Sequence, residues 1–298
     1  MPTFATIEAE LASWPGTASA WCGPVGATRP VFARLADVPH YAASTMKVAV
    51  LAALYRAADA GLIDLDAPVG VTSEFASAKP GAARFTVESS YDHDDAVWQR
   101  VGGTATPRWL GHHMITRSSN LATNVLLDLV GMPAVDQILL DVGSTGSRVE
   151  RGISNTAARD AGIDNQVTVR DLAALFGAIV LDAAAGSAKN SPAVRRPRLA
   201  TAESCGEMVD VLSAQEHRVD LAVGLPPGTR VAHKNGWVRG IRHSAGVVFP
   251  TDAPPYAIVV CTTTDKPDED DSNDDAACAM IARVATASWA ARHRIAVG

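Results

Sequence analysis

Ser44 and Lys47 lie three residues apart in the run Ala42-Ala43-Ser44-Thr45-Met46-Lys47-Val48-Ala49-Val50-Leu51. On a helix that spacing puts both side chains on one face, about one turn apart. The residues that follow (Val48, Val50, Leu51, Leu54) make the helix apolar all round, which predicts deep burial. A buried ammonium is either paired or loses its proton, and burial lowers a lysine pKa by about 3 units or more. A lysine so depressed is a general base at neutral pH. It can take the hydroxyl proton of Ser44 and make that oxygen a nucleophile. A serine at a helix N-terminus also has a free backbone N–H and positive potential beside a developing oxyanion. The bland alternative is a helix start, with Ser44 or Thr45 as N-cap and Lys47 reaching back to water.

Two further clusters carry polar chemistry. Ser118-Ser119-Asn120 separates two helical stretches, and Leu121, Val125, Leu126 and Leu129 form an apolar face after it. A hydroxyl and an amide there can relay a proton to a leaving group and hold a substrate carbonyl, or simply cap the next helix. His233-Lys234-Asn235-Gly236-Trp237 closes a β-rich run. Gly236 permits close approach of another backbone, as a substrate-binding edge strand requires. Lys234 offers positive charge to a substrate carboxylate and to the relay serine. The competing reading is an ordinary Asn-Gly turn.

The elements that must position these clusters follow from pattern and punctuation. A short helix is expected over 5–13, then strands over 17–22 and 30–36. A strong Ala- and Leu-rich helix covers 45–60 and ends at Gly61. Residues 72–105 read as irregular. Helices follow over 107–116, 121–130, 133–142, 168–184 and 202–214, with a polar loop at 143–167. Strands return at 230–233, 244–249 and 257–263, and an Ala-rich helix covers 274–292. Strands at both ends and helices between predict an α/β fold of the α+β type. An antiparallel sheet from both termini is flanked by helices, with an all-helical domain inserted. The expected division is 1–40 plus 216–298 for the discontinuous α/β domain and 41–215 for the helical one.

Composition narrows the function classes. The chain has 298 residues and a net charge of −6, with no Lys/Arg-rich run, which argues against a nucleic-acid surface. Arg195-Arg196-Pro197-Arg198 reads as a solvated loop. No apolar run approaches the ~18 residues of a membrane span, and no basic, apolar leader opens the sequence. A cytoplasmic location is the expectation. The four cysteines (Cys22, Cys205, Cys261, Cys278) show no metal spacing and read as free, buried thiols. Tyr91-Asp92-His93-Asp94-Asp95 reads as a solvated acidic loop rather than a metal site. His112 and His113 point to different helix faces and make poor joint ligands. The acidic run 267–275 lacks the glycine of a calcium loop and reads as a charged start to the last helix. Arg239 and Arg242 read as exposed surface, with a substrate carboxylate as the alternative partner of either.

Taken together, the three clusters resemble the class A β-lactamase and penicillin-binding serine hydrolase superfamily, whose signature is Ser-x-x-Lys, Ser-x-Asn and Lys-Thr-Gly or a variant. The resemblance covers most of the chain. It includes 164–172, which looks like the exit of the family's Ω-loop, and 243–248, which looks like the strand after the third motif. It implies Ser44 as the acylated nucleophile, Lys47 as its base and Ser118 as the proton shuttle. It implies Asn120 and Lys234 as substrate-orienting and carboxylate-anchoring residues, with Asn235, Gly236 and Trp237 lining the substrate edge. The N–H groups of Ser44 and Trp237 would form the oxyanion hole. No metal or organic cofactor is implied. The substrate would be a lactam, amide or ester, bearing a carboxylate. Asn235 departs from the usual Thr or Ser. The Ω-loop glutamate is not evident: Ile153 falls at its position, and Glu150 is the nearby carboxylate. The expectation is therefore a Ser44 acyl-enzyme hydrolase. The alternatives are an acyltransferase, peptidase or esterase, or a sensor acylated once.

Overall fold

The computed structural model describes residues 2–92, 94–185, 196–265 and 272–295. The chain opens with helix α1 (Phe4–Ala12), capped by Thr3, whose hydroxyl accepts from Thr6 N at 3.2 Å. Strands β1 (Gly16–Pro24) and β2 (Phe32–Arg34) follow. A four-residue 3-10 turn, Ala43–Met46, runs directly into α2 (Lys47–Asp59). The helical middle comprises α3 (Pro107–Thr116), α4 (Asn120–Val130), α5 (Met132–Asp141), α6 (Val169–Ala184) and α7 (Ala202–Ser213). Strands β3 (Arg230–Val238), β4 (Ile241–Phe249) and β5 (Tyr256–Thr264) then lead to α8 (Ser272–Ile295).

The five strands form one antiparallel sheet in the order β2-β1-β5-β4-β3. Both termini thus contribute to it, as expected, and β3 is an edge. Strand alternation gives each face its own core. One face carries Ala20, Val248 and Val260, which pack with Ile7 of α1 and Ile281 of α8. The other carries Trp21, Ala245, Val247 and Val259. These join Leu51, Leu126 and Leu172 in a core continuous with the helical middle. Helix α2 runs through that core, and all its residues from Lys47 to Tyr55 are buried.

Several expectations are corrected. Neither Ser44 nor Thr45 caps α2; Thr45 Oγ1 instead donates to Ala42 O at 2.6 Å. The third polar cluster is not a turn: it is the last part of a strand that stops one residue beyond it, at Val238. Asn235 and Gly236 sit inside β3, opposite Ser244 and His243, and Gly240 (φ +75°) makes the turn. A strand rich in His, Lys and Asn looks like a loop in sequence because its polar side chains are not on a solvent face but in a site. The stretch 72–105 contains a short ladder, Glu74–Phe75 with Phe85–Thr86, and its end, Thr104–Ala105, pairs with Val69–Gly70 just before it. Arg196 is no solvated loop residue: it pairs at 3.1 Å with Asp182, whose side chain is fully buried. Arg195, His93 and residues 267–271 of the acidic run lie outside the described residues. Asp274 and Asp275 do fall in the first turn of α8. No single helix among the described residues is long and apolar enough to cross a membrane.

Candidate active site

Ser44 is half-buried on the 3-10 turn. It lines a cavity of about 240 Å³ together with Ser118, Asn120, Asn235, Trp237 and Ile153. The sequence clusters from three separate parts of the chain therefore meet in one place. The backbone there is unusual. Ala43 (φ +44°), Ser118 (φ +60°) and Ser154 (φ +68°) occupy the left-handed region without being glycine. Such conformations cost on the order of 1–3 kcal/mol each and persist where surrounding structure holds them.

Lys47 is fully buried, as its apolar helix requires. Its Nζ donates to Ser118 O at 2.6 Å, Asn120 Oδ1 at 2.9 Å and Ser118 Oγ at 3.1 Å. Burial holds its pKa well below the usual lysine range. The charge of Lys234 pushes the same way, and Asp92 opposes both.

The Ser118-Ser119-Asn120 turn is held by a loop that sequence reading assigned to solvent. Asp92 accepts from Ser119 Oγ at 3.0 Å and from Leu121 N at 2.8 Å. Tyr91 O accepts from Asn120 Nδ2 at 2.6 Å. The Asn120 amide is thus fixed between Lys47 and Tyr91. Asp94 is buried; it accepts from Ala96 N at 3.1 Å and pairs with His113 on α3. The acidic stretch is therefore a brace rather than a solvated loop. Its signal was visible as a cluster of carboxylates, but nothing local said what they would meet. Among the described residues no group of His, Cys, Asp and Glu is arranged to hold a metal ion.

Opposite, the edge strand β3 presents the third cluster. A Cβ built on Gly236 would stand 3.1 Å from Ser44 N, Ala43 Cβ and Thr45 Cγ2, so glycine allows the strand to abut the Ser44 turn. Lys234 is fully buried, and its Nζ donates to Asn235 O and Oδ1, each at 3.0 Å. Burial lowers its pKa to about 7, with the Asp220 carboxylate opposing. Asn235 Nδ2 in turn donates to His217 O at 3.3 Å. The His217 ring packs 5.6 Å from that of Trp237 and lines the same cavity, a contact that sequence reasoning missed. Arg242 is not surface either: its guanidinium lies 5.6 Å over the Trp237 ring and pairs with Asp274 at 2.9 Å.

The Ω-loop-like segment closes the cavity. Asn124 clamps Ile153 by accepting from its N–H at 2.8 Å and donating to its C=O at 2.9 Å. Ile153 lines the cavity, whereas Glu150 is exposed and pairs with Arg148 at 3.0 Å. Arg151 is buried against Asp164 at 2.7 Å. The four cysteines are free; Cys22, Cys205 and Cys261 are buried and Cys278 is partly so.

A five-stranded antiparallel sheet with a helical layer packed on its inner face, and a serine–lysine cavity at the sheet edge, is the class A β-lactamase-like fold. Solved structures agree. A β-lactamase from Sphaerobacter thermophilus superposes with a TM-score of 0.74 at 23% identity, over 98% of each chain. PBP-A superposes with a TM-score of 0.73 at 20% identity, over 98% of this chain and 96% of that one. A model of the beta-lactamase enzyme family matches residues 3–291, and the chain belongs to that family. A β-lactamase of Streptomyces lavendulae is 29% identical over 157 residues, 52% of this chain. The match spans 47% of that relative's length.

Proposed function

We propose that the protein transfers acyl groups through a covalent Ser44 intermediate formed from a lactam, amide or ester. One observation carries the reading: the buried Lys47 amine is hydrogen-bonded to both Ser118 and Asn120 in the cavity that contains Ser44. Lys47, short of its proton, takes the one from Ser44 Oγ as that oxygen bonds to the substrate carbonyl carbon. The N–H groups of Ser44 and Trp237 receive the resulting oxyanion. As the bond to the leaving nitrogen or oxygen breaks, Ser118 gives it a proton and recovers one from Lys47. Asn120 holds the substrate amide. Water or another acceptor then releases the acyl group.

The test is intact-protein mass spectrometry after mixing with a penicillin or an activated ester. A mass increase that maps to Ser44 and vanishes in Ser44→Ala is expected. Absence of any adduct with every acyl donor would remove the covalent mechanism.

A second reading concerns how the acyl group leaves. Ile153 occupies the cavity wall where the resemblance places a glutamate, and Glu150 faces away. An aliphatic side chain cannot activate water. The acyl-enzyme is therefore long-lived, which suits a sensor or a transacylase with its own acceptor. Ile153→Glu should shorten the lifetime of the penicilloyl adduct by about a hundredfold, the scale of one general base. An unchanged lifetime would place the water elsewhere.

A further inference from the structure

The cavity that holds Ser44 backs onto a second one. A space of about 210 Å³ lies between α4, the hairpin of Glu74–Phe75 and Phe85–Thr86, and the segment that closes the Ser44 cavity. Phe75, Phe85, Leu127 and Met132 give it apolar walls, and Asn124 and Gly152 form its side toward Ile153. An apolar cavity of about 150 Å³ already holds a benzene ring. This one therefore fits a single aromatic ring with a short substituent.

Charge sets the substituent. Asp128 of α4 lines the same cavity and is exposed at its mouth. Its carboxylate makes no hydrogen bond or ion pair with another described residue. Of the cations on the hairpin, Arg84 is held by Glu74 at 2.7 Å, and Lys79 does not pair with Asp128. The C-terminal end of α4 meets the cavity at Gly131, where the helix dipole favours positive charge. The faces of the Phe75 and Phe85 rings, with centroids 5.9 Å apart, favour it too.

We propose that this cavity is a second ligand site, for a compact aromatic ring bearing an ammonium, and that its occupant bears on the Ser44 cavity through Ile153. The inference does not depend on the acyl reaction. The wall between the two cavities has little slack. A Cβ built on Gly152 would stand 3.0 Å from Phe85 Cζ and 3.1 Å from Asn124 Oδ1. Asn124 in turn grips Ile153 by both its N–H and its C=O. A ring that presses on Phe85 or Asn124 therefore shifts the Ile153 side chain that lines the other cavity, because a close-packed wall transmits strain.

The probe is benzylammonium, with benzyl alcohol as its uncharged counterpart. Methyl NMR on the full chain follows the Met132 ε-methyl in the second cavity and the Ile153 δ-methyl in the first, each assigned by substitution (Met132→Leu, Ile153→Val). Benzylammonium should shift both along one saturation curve. Its affinity should exceed that of benzyl alcohol by about three- to fivefold, the scale of one exposed ion pair. Asp128→Asn keeps the shape of the site and should remove that advantage. Ala76→Trp, at an exposed position on the cavity rim, should abolish both shifts. A Met132 signal unmoved by either compound overturns the site. Equal affinities, or an advantage that survives Asp128→Asn, overturn the charge assignment. Saturation that moves Met132 but not Ile153 overturns the communication. So does an Ile153 shift that persists in Ala76→Trp, since the ligand then sits in the Ser44 cavity. None of these readouts uses a Ser44 adduct, so the acyl mechanism stands or falls separately.

Discussion

Two buried lysines lie behind the residues that line the Ser44 cavity, and their surroundings differ. Both are fully buried, and both are pushed below the ordinary lysine pKa by that burial. Lys47 spends its hydrogen bonds across the cleft, on Ser118 and Asn120, about seventy residues away in sequence. Lys234 spends its own on the next residue, Asn235. One amine is bonded to a turn from another part of the chain and the other to its own strand. Burial alone therefore does not assign a role. The partners distinguish the two: Lys47 reaches the Ser118 hydroxyl, a group that can carry a proton, whereas Lys234 reaches the amide and carbonyl of Asn235.

Methionine at each position breaks this comparison most directly. Met is close to Lys in length and is comfortable when buried. Lys47→Met should slow Ser44 acylation by about a hundred- to ten-thousand-fold, the scale of a lost general base. Lys234→Met should slow it by about tenfold, through a loosened Asn235 amide. Rates of adduct formation with one activated ester measure both. Equal losses would mean that the two amines share one function and that the hydrogen-bond pattern misleads. Arginine at position 47 should not rescue, since a guanidinium keeps its proton.

A smaller effect sharpens the comparison at Asp92. Its carboxylate holds Ser119 and Leu121, and its charge opposes the depression of Lys47. Asp92→Asn removes the charge but keeps an acceptor. The plateau rate of acylation should fall by a few-fold, to about tenfold at most. The acid limb of the pH profile should move to lower pH, because Lys47 then loses its proton more readily. A fall in rate with an unmoved limb would leave Asp92 a purely mechanical brace.

Much of this was legible in sequence, for reasons that also explain what was not. The helices announced themselves through apolar periodicity and caps, and the structure agrees to within a few residues at most ends. Ser44, Lys47, Ser118, Asn120 and Asn235 came forward because a polar residue before or within an apolar run needs a reason, and the resemblance supplied an order. The full length of β3 was hidden, since His233, Lys234 and Asn235 break the alternation that marks a strand. Asp92 and His217 were hidden for another reason. Each reaches the site by a loop contact, to Ser119 and to Trp237, and such contacts leave no periodic trace.

The two buried lysines should also show in the pH dependence of stability. Lys234 has a folded-state pKa of about 7, and that of Lys47 is also well below 10.5. An unfolded chain keeps both protons up to about pH 10.4. Above about pH 7 the unfolded state therefore binds more protons than the folded one, and stability rises with pH by about 1.4 kcal/mol per unit for each such lysine. Buried thiols work against this. Cys22 and Cys261 are pushed far above their usual range, so they hold protons that the unfolded chain sheds above about pH 8.5. Below about pH 7.5 the buried His40, His233 and His243, held well below the usual imidazole range, add a rise of the same sign, so the clean window is between about pH 7.5 and pH 8.5. Urea unfolding across it should show stability climbing in the wild type. Each single lysine-to-methionine variant should be more stable near neutral pH and climb less steeply, by about 1.4 kcal/mol per unit. A slope that survives Lys47→Met but not Lys234→Met would mean that the three acceptors around Lys47 keep it charged when no substrate is bound. The general base would then have to arise on binding, as the substrate drives out the last water.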